Sequence, residues 1–159
     1  MSDTMTREQR HYCMSRIRGE DTRPEMVVRR WLHSEGFRYS LHSRRLPGCP
    51  DIVLRRYHTV IFINGCFWHG HPGCDKFRMP RSNVEFWQEK IRRNKERDAQ
   101  EVAALEALGW NVIVVWECEL SRRARDLTLR NLVDAVRRNI EPESIHPIPL
   151  SVRKLSLKE

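Results

Sequence analysis

The sequence has no apolar run of the 18 or so residues that a bilayer span requires. Its apolar stretches, such as Val60–Ile63 and Val112–Trp116, are only strand-sized. The N-terminus, Met1-Ser2-Asp3-Thr4-Met5-Thr6-Arg7, has no apolar core of the kind a secretory signal needs. No heptad pattern, internal repeat or low-complexity tract is present, which excludes a coiled coil or a repeat array. The cysteines do not form an even set: there are five, at positions 13, 49, 66, 74 and 118. An odd count without a signal argues against a disulfide framework and for a reducing cytoplasm, where thiols stay free or bind metal.

Acidic charge is in short supply. Lys and Arg number 29 against 21 Asp and Glu, a net charge of +8. The excess is uneven. Residues 1–45 carry 10 basic and 6 acidic side chains, residues 46–120 carry 10 of each, and residues 121–159 carry 9 and 5. A neutral centre between basic flanks fits a polyanionic partner, with a solvated basic surface as the plain alternative. The length of 159 residues fits one domain, and 40% hydrophobic with 31% charged residues is a globular composition.

The pattern along the chain predicts a mixed α/β domain. Residues 1–20 read as a short helix or arm, residues 21–140 as the folded domain, and residues 141–159 as a tail, extended or disordered from Pro142. Thr22-x-x-Glu25 with Pro24 is a helix-start signal, and Gly36 a stop. Strands are expected over 37–41, 51–54, 59–64 and 111–116, with turns at 46–50 and 55–58. A long helix with a very polar middle is expected from Val84 to Leu108, ended by Gly109, and a last helix around Leu127–Ile140.

The irregular segment between Gly65 and Ser82 concentrates the chemistry. Cys66, His71 and Cys74 form C-x4-H-x2-C, and Cys118 follows the last strand. If the strands before Cys66 and Cys118 are neighbours, the four residues close a Cys3His tetrahedron suited to structural zinc. Asp51 opens a strand, where nucleases often hold magnesium; a strand-start turn residue is the alternative. His69 is the candidate base, although spacing alone separates it poorly from His71 as the zinc ligand. Phe67-Trp68 and Phe86-Trp87 read either as core residues or as wedges that unstack base pairs.

Five segments taken together are recognisable: Leu46-Pro-Gly-Cys-Pro-Asp51, Ile61-Phe-Ile-Asn-Gly-Cys-Phe-Trp-His-Gly-His71, Glu85-Phe-Trp-Gln-Glu-Lys-Ile91, Asn94-Lys-Glu-Arg-Asp98 and Leu108-Gly-Trp-Asn-Val-Ile-Val-Val-Trp-Glu-Cys118. Over roughly residues 10–122 the chain resembles the very-short-patch repair (Vsr) DNA mismatch endonucleases. The resemblance implies a restriction-endonuclease-like fold, a divergent PD-(D/E)XK central mixed sheet flanked by helices. It implies nicking of double-stranded DNA 5′ of the thymine in a T:G mismatch, such as arises when 5-methylcytosine deaminates. Asp51 and the backbone carbonyl of Ile63 would hold magnesium, His69 would activate water, and Glu25 would support the water shell of the ion. Cys66, His71, Cys74 and Cys118 would hold structural zinc. Phe67, Trp68 and Trp87 would intercalate, with Met14 and Ile17 entering from the other groove. The implied protein is a monomer working with mismatch-repair proteins and a cytosine-5 methyltransferase.

The chain departs from the family pattern in three places. Asn64 stands where some members have a second active-site His, Cys49 replaces a basic residue, and the His71–Cys74 loop is one residue longer than its shortest form. Two rivals remain: a zinc-stabilised DNA-binding module without catalysis, and a restriction-type enzyme that cuts both strands.

Overall fold

Four strands form one mixed sheet in the order β1-β2-β3-β4. The computed structural model describes residues 6–17 and 19–140. The strands are β1 (Ser40–Leu41), β2 (Ile52–Leu54), β3 (Thr59–Asn64) and β4 (Asn111–Trp116). The helices are α1 (Arg7–Ser15), α2 (Arg23–Ser34), α3 (Val84–Ala107) and α4 (Arg125–Arg138), with single 3-10 turns at Arg55–Tyr57 and Glu117–Leu120. β1, β2 and β3 pair antiparallel, whereas β3 and β4 run parallel through the crossover that contains α3.

Alternation along the strands divides the interior into two layers. Ile52, Leu54, Ile61 and Val115 face α2 and α4, where Val28, Leu32, Leu129, Leu132, Val133 and Val136 complete the larger core. Val53 and Val60 face the opposite way, against Leu105 of α3. Each fully buried aliphatic side chain contributes about 1.5–3 kcal/mol, so the larger layer supplies most of the burial energy. β3 is buried over Thr59–Ile61 and opens over Phe62–Asn64. The sheet therefore leads from a dry core into a groove.

Three details differ from the sequence expectation. β1 begins at Ser40 because Phe37 still belongs to the end of α2: its amide bonds to Leu32 O at 3.0 Å, past Gly36 at φ +87°. Its ring then packs on Tyr57 at 5.0 Å. The Thr22–Glu25 pair starts α2, but Thr22 makes no side-chain cap bond. Its hydroxyl instead donates to Glu25 Oε1, and the Glu25 carboxylate is further engaged by the Asp21 amide and Arg29. In α4 the buried face starts at Leu129, and Leu127 is 65% exposed. The tail from Pro142 lies outside the described residues.

Candidate functional site

A groove of about 1630 Å³ runs over the open end of β3. Asp51, Glu25, Ile63, Asn64, Trp68 and His69 line it, together with Met14 and Ile17 of the N-terminal arm. Asp51 lies just before β2. Its Oδ2 accepts the Ile63 amide N–H at 2.7 Å, which ties the start of β2 to the open end of β3. Burial is the main reason the Asp51 carboxyl is pushed above the usual range, and the negative charge of Glu25 adds to it. The Ile63 N–H opposes that rise and is outweighed. A desolvated carboxylate of this kind is suited to a hard cation.

Behind Asp51 lies a compact charge cluster that the sequence pattern did not announce. Arg29, buried at 6% exposure, reaches Glu25 Oε2 at 2.7 Å, Asp21 Oδ1 at 2.5 Å and His42 Nε2 at 2.7 Å. His42 Nδ1 faces Asp51 Oδ1 at 3.8 Å. Asp21, Glu25 and His42 are close enough to share a cation. The Arg29 guanidinium already bonds to all three. Glu25, a sequence candidate, is thus placed next to the Asp51 side of the groove.

The loop after β3 also lines the groove, seated on one face of α3. Ile91, Asn94, Lys95 and Asp98 recur at helical spacing and all meet this loop. Asn94 Nδ2 donates to Trp68 O at 2.8 Å, and Asp98 Oδ2 meets His69 Nδ1 at 2.5 Å. Gly70, at φ +58°, lies so close that a Cβ there would stand 2.7 Å from Ile91 Cγ2. Only glycine permits that approach. An ionised Asp98 accepts the proton of His69 Nδ1, which leaves Nε2 as the lone-pair nitrogen. The polar middle of α3 therefore has a specific use: it receives the loop instead of the core.

The parallel register of β3 and β4 brings Asn64 opposite Trp116. Cys66 and Cys118, each two residues further on, are consequently adjacent. Donor atoms of Cys66, His71, Cys74 and Cys118 lie within 4.8 Å of one another, and His71 Nδ1 stands 3.4 Å from Cys118 Sγ. The His71 ring stacks on Trp116 at 4.0 Å. Geometry thus separates the two histidines: His71 joins the cysteines, and His69 joins Asp98. Burial, together with hydrogen bonds from the neighbouring thiols, pushes Cys118 up to about 12. Burial also raises Cys66. For Cys74 burial acts upward too, but the Lys76 amide and bonds from Cys118 and Cys66 bring the net shift down. Three thiols this close ionise together only around a cation, and a donor set of three sulfurs and one imidazole nitrogen fits zinc.

Phe67, Trp68 and Trp87 form a ring cluster with centroids 5.2 to 6.0 Å apart. None belongs to either hydrophobic core, and all are half-buried. Phe86 extends the cluster and is 58% exposed. Lys90 Nζ lies over the Trp68, Phe86 and Trp87 rings at 5.5 to 5.7 Å. The aromatic pairs are therefore a surface feature beside the groove, with a cation at their base. Asp98, Arg29, His42 and Asn94 are the site residues to which the sequence reading assigned no role. For Asn94 and Asp98 the available signals were the Asn94–Asp98 segment of the family pattern and its spacing from Ile91 along a single helix face; Arg29 and His42 had none.

Residues 2–76 match the family model described as DNA mismatch endonuclease Vsr. The chain is 48% identical over 135 residues to the type II nicking enzyme V.XorIIP of Xanthomonas oryzae pv. oryzae, covering 84% of this chain and 98% of that protein. It is 49% identical over 124 residues to the type II nicking enzyme V.NmeAIP of Neisseria meningitidis, covering 78% and 88%. It is 40% identical over 125 residues to the DNA mismatch endonuclease Vsr of Escherichia coli, covering 79% and 80%. No helix among the described residues is long and apolar enough to cross a membrane. Together with a groove that gathers a buried carboxylate and a carboxylate-held histidine, this similarity makes the chain a DNA endonuclease belonging to the Vsr family.

Proposed function

We propose that this protein nicks double-stranded DNA on the 5′ side of the thymine in a T:G mismatch, with magnesium as the catalytic ion and zinc as a structural staple. The observation that carries this reading is the shared groove: Asp51, tied to Ile63, and the His69–Asp98 pair both line it. The sheet, antiparallel over β1–β3 and parallel at β3–β4, supports a restriction-endonuclease-like fold.

The Asp51 carboxylate and the Ile63 carbonyl are hard oxygen donors and would hold the magnesium ion. When bound, such an ion offsets the charge that builds on the scissile phosphate. His69 Nε2 takes a proton from the attacking water, and Asp98 keeps Nδ1 protonated and the ring oriented. Glu25 helps order water at the Asp51 wall. Asn64 lines the groove and offers a hydrogen bond to phosphate but no titratable proton. Cys66, His71, Cys74 and Cys118 would hold zinc, which pins the loop that carries His69.

The half-buried aromatics beside the groove would give the mismatch preference. Unstacking a mispair costs less than unstacking a paired step, so wedge insertion by Phe67, Trp68 and Trp87 favours mismatched DNA. Met14 and Ile17 of the N-terminal arm, which also line the groove, would enter from the other groove of the DNA. The basic flanks supply sequence-independent phosphate affinity that weakens with salt. The setting is a reducing cytoplasm, where the protein acts as a monomer alongside mismatch-repair proteins and a cytosine-5 methyltransferase.

The test is a nicking assay on labelled duplexes with and without one T:G pair, in magnesium or in EDTA, across varied flanking sequences. A magnesium-dependent cut in one strand, just 5′ of the mismatched thymine, is expected. Cleavage of both strands of a paired duplex would replace this reading with a restriction-type enzyme. Tight binding without any cut would replace it with a non-catalytic module.

A further inference from the structure

His42 is placed opposite Asp51 by the fold itself. β1 and β2 pair Leu41 with Ile52, and the next step of that ladder is the His42 amide bonding to Asp51 O at 3.2 Å. His42 holds a left-handed backbone, φ +44°, which is uncommon for a residue with a side chain. Its ring is mostly buried, with 17% of the side chain exposed. On one side Nε2 lies 2.7 Å from Arg29 NH2, and on the other Nδ1 lies 3.8 Å from Asp51 Oδ1.

The chemistry of Arg29 decides how this ring must be protonated. A guanidinium offers only donors and keeps its protons. At 2.7 Å its NH2 group donates, so His42 Nε2 must accept and carries no proton. The imidazole proton then resides on Nδ1, the nitrogen facing Asp51. We infer that Arg29 is a positioning residue that locks His42 in its Nδ1–H tautomer, so that an N–H dipole and not a lone pair is presented to Asp51 Oδ1.

With Oδ2 taken by the Ile63 N–H, both carboxylate oxygens are then oriented by donors. At 3.8 Å the His42 contact is a charge–dipole interaction and not a closed hydrogen bond. It steadies the ionised carboxylate without adding a second full positive charge beside the cation position. The other charged groups packed here are Glu25, whose Oε2 is 3.6 Å from His42 Nε2, and Asp21, held by Arg29 at 2.5 Å. Arg29 pairs with both of these while it sets the tautomer, one positive charge set against two negative ones. The functional part of this inference rests on Asp51 holding the ion, as proposed above; the tautomer itself does not.

The experiment is imidazole nitrogen NMR on the ¹⁵N-labelled full-length protein without DNA, at about pH 8, where an ordinary histidine is neutral. The His42 ring is expected to show a protonated Nδ1 and a bare Nε2. A protonated Nε2 overturns the inference. In Arg29→Met the Nε2–H form is expected to appear; an unchanged spectrum from a folded variant also overturns it. If that variant does not fold, the wild-type spectrum decides alone. Kinetics give a second readout. His42→Leu, which has no donor, is expected to lose about 10- to 100-fold in kcat with KM for DNA unchanged, and His42→Gln, which keeps an N–H, is expected to recover most of it. Equal losses in the two variants would reduce His42 to packing. A wild-type protein that nicks no mismatched duplex sinks the proposed activity, whereas the tautomer is still decided by the spectrum.

Discussion

His69 Nδ1 and Asp98 Oδ2 stand 2.5 Å apart although 29 positions separate the two residues in the chain. The contact joins the loop after β3 to the middle of the long helix α3. It also divides the labour of the ring, with one nitrogen committed to a carboxylate and the other left for the groove.

Asp98→Asn keeps the size of the side chain but removes the charge that fixes the tautomer. Single-turnover nicking is expected to fall by about 10²- to 10⁴-fold, with affinity for mismatched duplex retained. Equal losses in binding and cutting would make the pair a structural contact only.

The raised carboxyl of Asp51 has a signed consequence for stability. Below the ordinary Asp value of about 3.9 the group is protonated in the folded and unfolded states alike and carries no penalty. As pH rises through the elevated folded value, the folded state must hold a charge that burial disfavours, and stability is lost. Asp51→Asn removes that loss, and its Oδ1 still accepts from Ile63. Without added divalent metal, the Tm of the variant minus that of the wild type should grow from about pH 4 to neutral. Melts across that range check it, and a flat difference would refute it.

Removal of metal from the cysteine cluster should loosen the His69 loop. A site filled a thousandfold above its Kd adds about 4 kcal/mol. For a chain of this size that is about 10 °C in Tm. Chelation, or Cys118→Ser, should give a drop of this order together with loss of bound zinc by elemental analysis. An unchanged melt with unchanged zinc content would exclude the four-residue site.

Trp68→Ala removes a ring but keeps the backbone carbonyl that Asn94 holds, so the loop stays anchored. Discrimination between mismatched and paired duplex should fall by about 1–3 kcal/mol, the worth of one stacked base. Competition binding measures this, and equal weakening on both duplexes would argue against a wedge.

Gly70→Ala should cost about 1–3 kcal/mol, since the added methyl meets Ile91 in a left-handed backbone position. Denaturant unfolding reads this directly. A neutral result would mean that α3 and the loop separate easily.

The apolar runs Ile52–Leu54, Val60–Ile63 and Val112–Val115 made three strands legible, because packing on a sheet leaves a dense local pattern. The short β1 was overextended because Phe37 looks like a strand residue but finishes a helix. Cys66, His71, Cys74 and Cys118 could be grouped from spacing and residue type. Arg29, His42 and Asp98 could not be grouped in this way. Each is a common surface residue type, and its meaning comes from a partner 13 to 29 positions away that only the fold brings near. The polar middle of α3 was visible in the sequence, but which of its residues face the loop depends on the helix phase set by the docking of Leu105 and Ile91.

The alignment of Asn64 with Trp116 has a consequence for how the chain reaches its native state. A slip of one residue between β3 and β4 would carry Cys118 about 3.3 Å along the sheet and invert its facing. The four donors would then no longer meet. Metal uptake by this cluster would therefore work as a checksum on strand pairing: a misregistered sheet would gain nothing from the ion, and the correctly aligned one would be sealed. Insertions should accordingly be tolerated in the loop beyond Cys74 far better than within either strand.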